Sequence, residues 1–184
     1  MTVVILSGPL GVGKSSLQRR LQAEYGFWTP TTHTTRPVGA SESDLRFCDL
    51  ASFEDAVRRG AFVMPSQFAS NWYAWDAESL HRMRDIVTAT VVNVRPYTGL
   101  VLAALLTQCV ACWLWIDEDE LSRRRSTRGE ERDISVEMRL ARERADETDR
   151  RYERFFPYRV RCDADALRVI LTLAQDAAIS GRSD

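Results

Sequence analysis

Lysine is almost missing from this chain. Of the 25 lysine and arginine residues among 184, one is lysine, Lys14. Arginine fills the remaining basic positions, as expected of a GC-rich coding bias that exchanges the two wherever exchange is harmless. At residue 14 no exchange has occurred. A compact ammonium fits among closely spaced phosphate oxygens, whereas a broader planar guanidinium grips a phosphate from outside. Cysteine is scarce too: Cys48, Cys109, Cys112 and Cys162 are mostly flanked by apolar residues. Cys109 and Cys112 have C-x-x-C spacing, but no second pair or histidine partner accompanies them, so they read as buried reduced thiols. A net charge of −1 and a pI near 6.2 give no general reason to expect nucleic acid or membrane as a partner. The longest apolar stretch, Leu100 to Ile116, is broken by Thr107 and Gln108 and reads as helix then strand, not as a membrane span. The N-terminus runs straight into a strand and leaves no room for a signal peptide. There is no internal repeat or low-complexity segment. A cytoplasmic, single-domain protein is the expectation.

What is present begins at residue 8. Gly8-Pro9-Leu10-Gly11-Val12-Gly13-Lys14-Ser15 satisfies the phosphate-loop pattern G-x-x-x-x-G-K-[ST], with Ser16 following. Thr2 to Leu6 is a short β-branched run that reads as a buried parallel strand. After the loop, Leu17 and Leu21 stand at helical spacing. Strand, glycine loop and helix thus occur in the order that lets backbone N–H groups curl around phosphates at a helix N-terminus.

Further along, Phe27 to Pro30 reads as a second strand. Residues 31 to 75 are rich in Thr, Ser, Gly, Pro and aromatic residues, with one clear helix starting at Ser52 and ending at Gly60. Asp76 caps a second short helix through about Arg84, and Ile86 to Val94 reads as a central strand. Pro96 opens another helix, Val110 to Ile116 forms another buried strand, and Asp117 to Glu120 supplies an acidic first helical turn. Arg123 to Asp133 is charged and reads as a mobile segment. A helix from 134 to 155, a strand near 158 to 162 and a helix from 164 to 178 complete the pattern. About half of the arginines fall between residues 123 and 161. Alternating α and β elements argue for an α/β fold in three layers, with a parallel sheet covered on both faces. The 31–75 insert then lies over the carboxyl ends of the strands, where ligands bind in open α/β sheets.

With the loop, Thr34-Thr35-Arg36-Pro37, Asp44, Phe47, Ser52-Phe53-Glu54, Gly60-Ala61-Phe62-Val63, Asn71-Trp72-Tyr73, Leu121 to Arg124, Arg128-Gly129 and Arg139-Leu140 in place, the chain resembles the guanylate kinase branch of the nucleoside monophosphate kinases over nearly its whole length. The resemblance implies a core (1–30, 85–122 and 135–184), an acceptor-binding flap (31–84) and a lid (123–134). It further implies γ-phosphoryl transfer from ATP or GTP, with Mg²⁺, to a small-molecule acceptor, in a monomer or homodimer. Gly8, Pro9, Gly11, Val12, Gly13, Lys14, Ser15 and Ser16 would hold the nucleotide, and Ser15 would ligate Mg²⁺. Lys14, Arg124, Arg128 and Arg139 would neutralise charge on the transferred group, since phosphoryl transfer depends mostly on positioned cations.

The acceptor side departs from the family. Val38 stands where a second arginine is expected, Leu45 replaces a tyrosine, Met64 the guanine-reading glutamate, and Trp75 a hydroxyl residue. Asn93-Val94-Arg95 replaces Asp-x-Asp. Arg36, Asp44 and Tyr73 remain, so Arg36, Asp44, Met64, Tyr73, Trp75, Asn93 and Arg95 are the candidate acceptor residues. Arg95 suggests an acceptor with an extra anionic group, and Met64 with Trp75 an apolar or stacking surface. The leading expectation is therefore an acceptor other than GMP, such as a modified nucleoside or nucleotide of specialised metabolism, or a sugar phosphate. Three alternatives stand beside it: a ribose 1,5-bisphosphate phosphokinase, an ordinary guanylate kinase, and a non-catalytic interaction domain. Asp44 and Asp76 are the candidate carboxylates to orient the acceptor.

Overall fold

The computed structural model describes residues 2–37, 44–68, 70–85, 88–127 and 144–180. The core sheet runs in the order β6-β1-β7-β8, where β1 is Val3–Ser7, β6 Thr90–Asn93, β7 Cys109–Trp115 and β8 Tyr158–Arg161. All its pairings are parallel. Every residue of β1 is buried, because helices cover both faces. Val4 and Leu6 point to one side with Leu17 and Leu21 of α1 (Lys14–Tyr25) and with Leu167 and Ile170 of α7 (Ala166–Ser180). Val3 and Ile5 point to the other, with Met83 of α3 (Ala77–Arg84) and Leu102 of α4 (Pro96–Leu105). The three-layer α/β expectation holds.

A second sheet, in the order β3-β2-β5-β4, forms the flap. Its strands are β2 (Thr32–Thr34), β3 (Leu45–Phe47), β4 (Phe62–Phe68) and β5 (Asn71–Asp76). Helix α2 (Leu50–Arg58) packs on one face of it through Phe53, whose ring meets Phe62 at 5.4 Å and Trp72 at 6.2 Å.

Several local expectations change. Helix α2 is capped by Asp49, not Ser52: both the Ser52 N–H and its hydroxyl donate to the Asp49 carboxylate. The Phe27–Pro30 strand reduces to one bridge, in which Trp28 N–H donates to Ala89 O and Trp28 O accepts from Val91 N–H. Strand β6 consequently lies at the sheet's edge, and β1 and β7 occupy the centre. Arg123 to Thr127 are helical and continue α5 (Glu118–Thr127). The helix reaches that far because Glu120 pairs with both Arg123 and Arg124 at helical spacing. Helix α6 covers residues 144–150 and gives way to a 3₁₀ turn at Glu153–Phe155 rather than continuing through 155. The cap of α3 is as expected: Asp76 accepts from Ser79 N–H at 2.7 Å.

Candidate active site

The loop after β1 takes a path that only glycine tolerates. Gly8 has φ 141°, and a Cβ there would collide with the Leu114 carbonyl oxygen. Gly13 has φ 118°, with Cys162 Sγ 2.8 Å from where a Cβ would stand. Gly13 then enters α1 with no side-chain cap, and no acidic residue occupies the first turn. The uncapped N–H groups at that end suit an anion.

The loop is gripped from behind by residues of α5 and α6. Arg125 donates through Nε and Nη2 to Leu10 O at 3.0 and 2.9 Å and pairs with Asp146. Asp146 in turn accepts from Leu10 N–H at 3.1 Å. Arg124 donates to Val12 O at 3.0 Å and to Glu120 at 2.7 Å. Arg124 therefore braces the outside of the loop; it is not among the cavity-lining residues. Arg128 and Arg139 lie outside the described residues.

Lys14 Nζ donates to Gly8 O at 2.7 Å and Pro9 O at 2.9 Å. Withdrawal from water is the main reason its pKa falls from 10.5 to about 8; Arg125 adds to the fall, while Asp146, Asp149 and Cys162 oppose it. Beside it, Asn93 Nδ2 donates to Ser15 Oγ at 3.0 Å. Ser15 and Asn93 thus meet across 78 residues of sequence.

Strand register puts one face of the flap toward the loop. Thr32 is opposite Trp75, and Tyr73 is opposite both Thr34 and Ser66, so these side chains share a face. A bulge between Val63 and Ser66 places Met64 at φ 56°. For a non-glycine residue that is a left-handed, strained conformation. Bulges of this kind re-aim strands beside binding sites.

Loop and flap enclose one cavity of about 390 Å³, lined by Lys14 and Ser15 on one side and by Arg36, Asp44, Met64 and Tyr73 on the other, with Asn93 and Arg95 between them. Three sequence readings need correction. Trp75 reaches the cavity wall but is buried, with its Nε1 donated to Thr32 Oγ1 at 3.0 Å; it packs in the core and is no stacking platform. Asp76 is the cap of α3 and faces His33 at 3.8 Å, so it does not orient an acceptor. Arg95 pairs with Asp149 at 2.6 Å; its charge is met inside the protein and demands no anionic group on the acceptor. Asp44 does line the cavity, with Gln18 Nε2 at 3.4 Å from its carboxylate.

Sequence reasoning missed Arg125, Asp146, Asp149, Gln18, Ser66 and Phe68. The i, i+3 spacing of Asp146 and Asp149 in an arginine-rich stretch was the available signal for two of them. Burial raises the Asp149 pKa in spite of Arg95.

The guanylate kinase family model matches residues 1–163. Among curated proteins, the guanylate kinase of Frankia casuarinae is 28% identical over 149 residues, covering 78% of this chain and 81% of that one. The guanylate kinase of Schizosaccharomyces pombe is 27% identical over 149 residues (78% and 74%), and that of Trichormus variabilis 25% over 145 residues (76% and 73%). Among solved structures, a guanylate kinase from Anaplasma phagocytophilum superposes with a TM-score of 0.69 at 15% identity, covering 97% of this chain and 85% of that one. A gluconokinase from Sinorhizobium meliloti gives 0.53 at 14% identity, covering 100% and 98%. The relatives' names overturn the expectation of an acceptor other than GMP. One of its physical supports, the unmatched charge of Arg95, had already gone to Asp149. The chain belongs to the guanylate kinase family of nucleotide-dependent phosphotransferases.

Proposed function

We propose that the protein transfers the γ-phosphoryl group of ATP to GMP. The observation that carries this reading is the shared cavity in which the glycine loop faces the flap, so that a triphosphate on one wall and a nucleotide on the other can approach end to end. The names of its relatives support GMP as the acceptor.

In this reading the α1 N-terminus and Lys14 hold the β and γ phosphates. On phosphate binding, Lys14 Nζ exchanges two loop carbonyls for phosphate oxygens. Arg124 and Arg125 keep the loop from opening, and Arg128 and Arg139 supply further positive charge. Arg36 and Tyr73 hold the acceptor phosphate from the flap, and Asp44 orients the acceptor. The residues fit Mg²⁺: Ser15 offers a hydroxyl at the loop, and this ion keeps waters and phosphate oxygens for most of its shell. Among the described residues, no group of three or more His, Cys, Asp or Glu side chains could hold a metal unaided. Mg²⁺ bound with the nucleotide would neutralise charge on the bridging phosphates.

One chain supplies both walls, which supports a monomer or a homodimer of complete sites. Among the described residues no helix is long and apolar enough to cross a membrane, and the four thiols are free; both features suit a reducing cytoplasm. The test is ADP release from Mg·ATP in the presence of GMP, AMP, CMP or UMP. GMP-dependent turnover of about 1–100 s⁻¹ is expected, and its absence at millimolar GMP overturns the reading.

A further inference from the structure

If GMP is the acceptor, the cavity must read guanine with unfamiliar groups. The glutamate position holds Met64, and the hydroxyl position holds Trp75, whose N–H is already given to Thr32. Purines differ at their edges. Guanine presents two acceptors side by side, O6 and N7, where adenine presents N7 next to an N6 donor, and a guanidinium matches the guanine pair with two parallel N–H groups.

We propose that Arg95 is the residue that selects guanine, donating to O6 and N7 of the acceptor base. This rests on the GMP reading and deepens it. Four observations support it. Arg95 lines the cavity between the loop and the flap. Its guanidinium has five N–H donors, and among the described residues its one hydrogen bond is Nη2 to Asp149. That carboxylate lines the same cavity and is the less exposed partner, 11% against 27%; it occupies one Nη2 N–H and leaves the other donors of the fork for a ligand. The Phe68 ring lies 5.2 Å from the guanidinium carbon. A base paired to both guanidinium donors is coplanar with them, so it would extend over the flap face that carries Phe68, Ser66 and Tyr73.

Charge argues the same way. With Asp149 at 2.6 Å, Arg95 is largely neutralised and makes a weak site for a phosphate. Its remaining N–H groups still bind a neutral edge that carries two acceptors. Adenine would set a donor against a donor, an arrangement that leaves buried polar groups unpaired and is strongly rejected.

The test compares GMP with 7-deaza-GMP, in which a C–H replaces N7. With the wild-type protein, kcat/KM for the deaza compound is expected to be about tenfold lower. In Arg95→Met, GMP should lose about tenfold or more while the ratio between the two acceptors falls to near one. Arg95→Lys, whose ammonium can still donate to O6 and N7 but lacks the planar fork, should fall between wild type and Arg95→Met. Equal use of the two acceptors by a wild-type protein that turns over GMP normally would overturn this inference and leave the GMP reading standing; no variant, and so no folding defect, enters that comparison. Loss of both acceptors by the same factor in Arg95→Met, with the ratio kept, would overturn it as well. Failure of the wild-type protein to phosphorylate GMP would remove the reading beneath it.

Discussion

Asn93 Nδ2 donates to Ser15 Oγ across 3.0 Å, joining the end of β6 to the first turn of α1. The loop hydroxyl is thus oriented by an amide where the family resemblance leads one to expect an acid. Asn93→Asp brings an acceptor and a negative charge to the same place. It should lower the Mg²⁺ concentration for half-maximal activity several-fold, while Asn93→Ala should raise it several-fold. The check is a Mg²⁺ titration at fixed ATP, alongside Mg²⁺-dependent binding of a non-hydrolysable ATP analogue. An unchanged midpoint in both variants would show that the bond is only structural.

Lys14→Arg tests whether the solitary lysine is there for its shape. Its Nζ donates to Gly8 O and Pro9 O at 2.7 and 2.9 Å, a point charge where a guanidinium would present a broader plane. Transfer to GMP should drop by a hundredfold or more, on the order of losing one transition-state donor. Activity near wild type in steady-state assays would mean that Lys14 is only a chance survivor of the coding bias.

The lowered Lys14 pKa gives two opposite pH trends. Between about 8 and 10.5 the unfolded chain holds this proton and the folded chain does not, so Lys14's contribution to stability rises with pH there and is lost as pH falls through about 8. Donor affinity should move the other way, because phosphate binding needs the ammonium. Calorimetric titration of an ATP analogue from pH 7 to 9.5 should show weakening above pH 8, with proton uptake visible as a buffer-dependent heat.

Gly13→Ala combines a φ of 118° with a Cβ that meets Cys162 Sγ at 2.8 Å. A destabilisation of about 1–3 kcal/mol is expected from the backbone alone. Adding Cys162→Ala should recover the steric part but not the backbone part. Thermal melts of the single and double variants separate the two.

Asp146→Asn keeps an acceptor for Leu10 N–H but removes the charge facing Arg125. KM for ATP should rise several-fold with KM for GMP little changed. An equal rise in both would mean that Asp146 serves the whole cavity rather than the loop.

The glycine loop was legible because it is local: strand, loop and helix follow one another within 25 residues, and each of its glycines has its geometric reason. The α3 cap was legible for the same cause, with Asp76 three residues from Ser79. At α2 the same rule applied to the wrong residue, because Asp49 and Ser52 are both good caps and the structure uses the earlier one. What could not be read were partnerships between distant residues. Arg95 and Asp149 lie 54 positions apart, and an arginine whose acid is not yet placed looks like a site for a ligand's anion. Trp75 misled differently: alternation along β5 puts it on the cavity face, and only the packed fold shows most of its ring buried by the core and its N–H given to Thr32.

The resting position of Lys14 makes it a reporter as well as a ligand. With a pKa of about 8, a large share of this amine is a neutral nucleophile in mildly alkaline buffer, and no other side chain in the sequence carries an amine. Apart from the chain's terminal amine, acylation of the intact protein therefore has one amine target, and the mass increment that nucleotide suppresses counts the fraction of loops left empty.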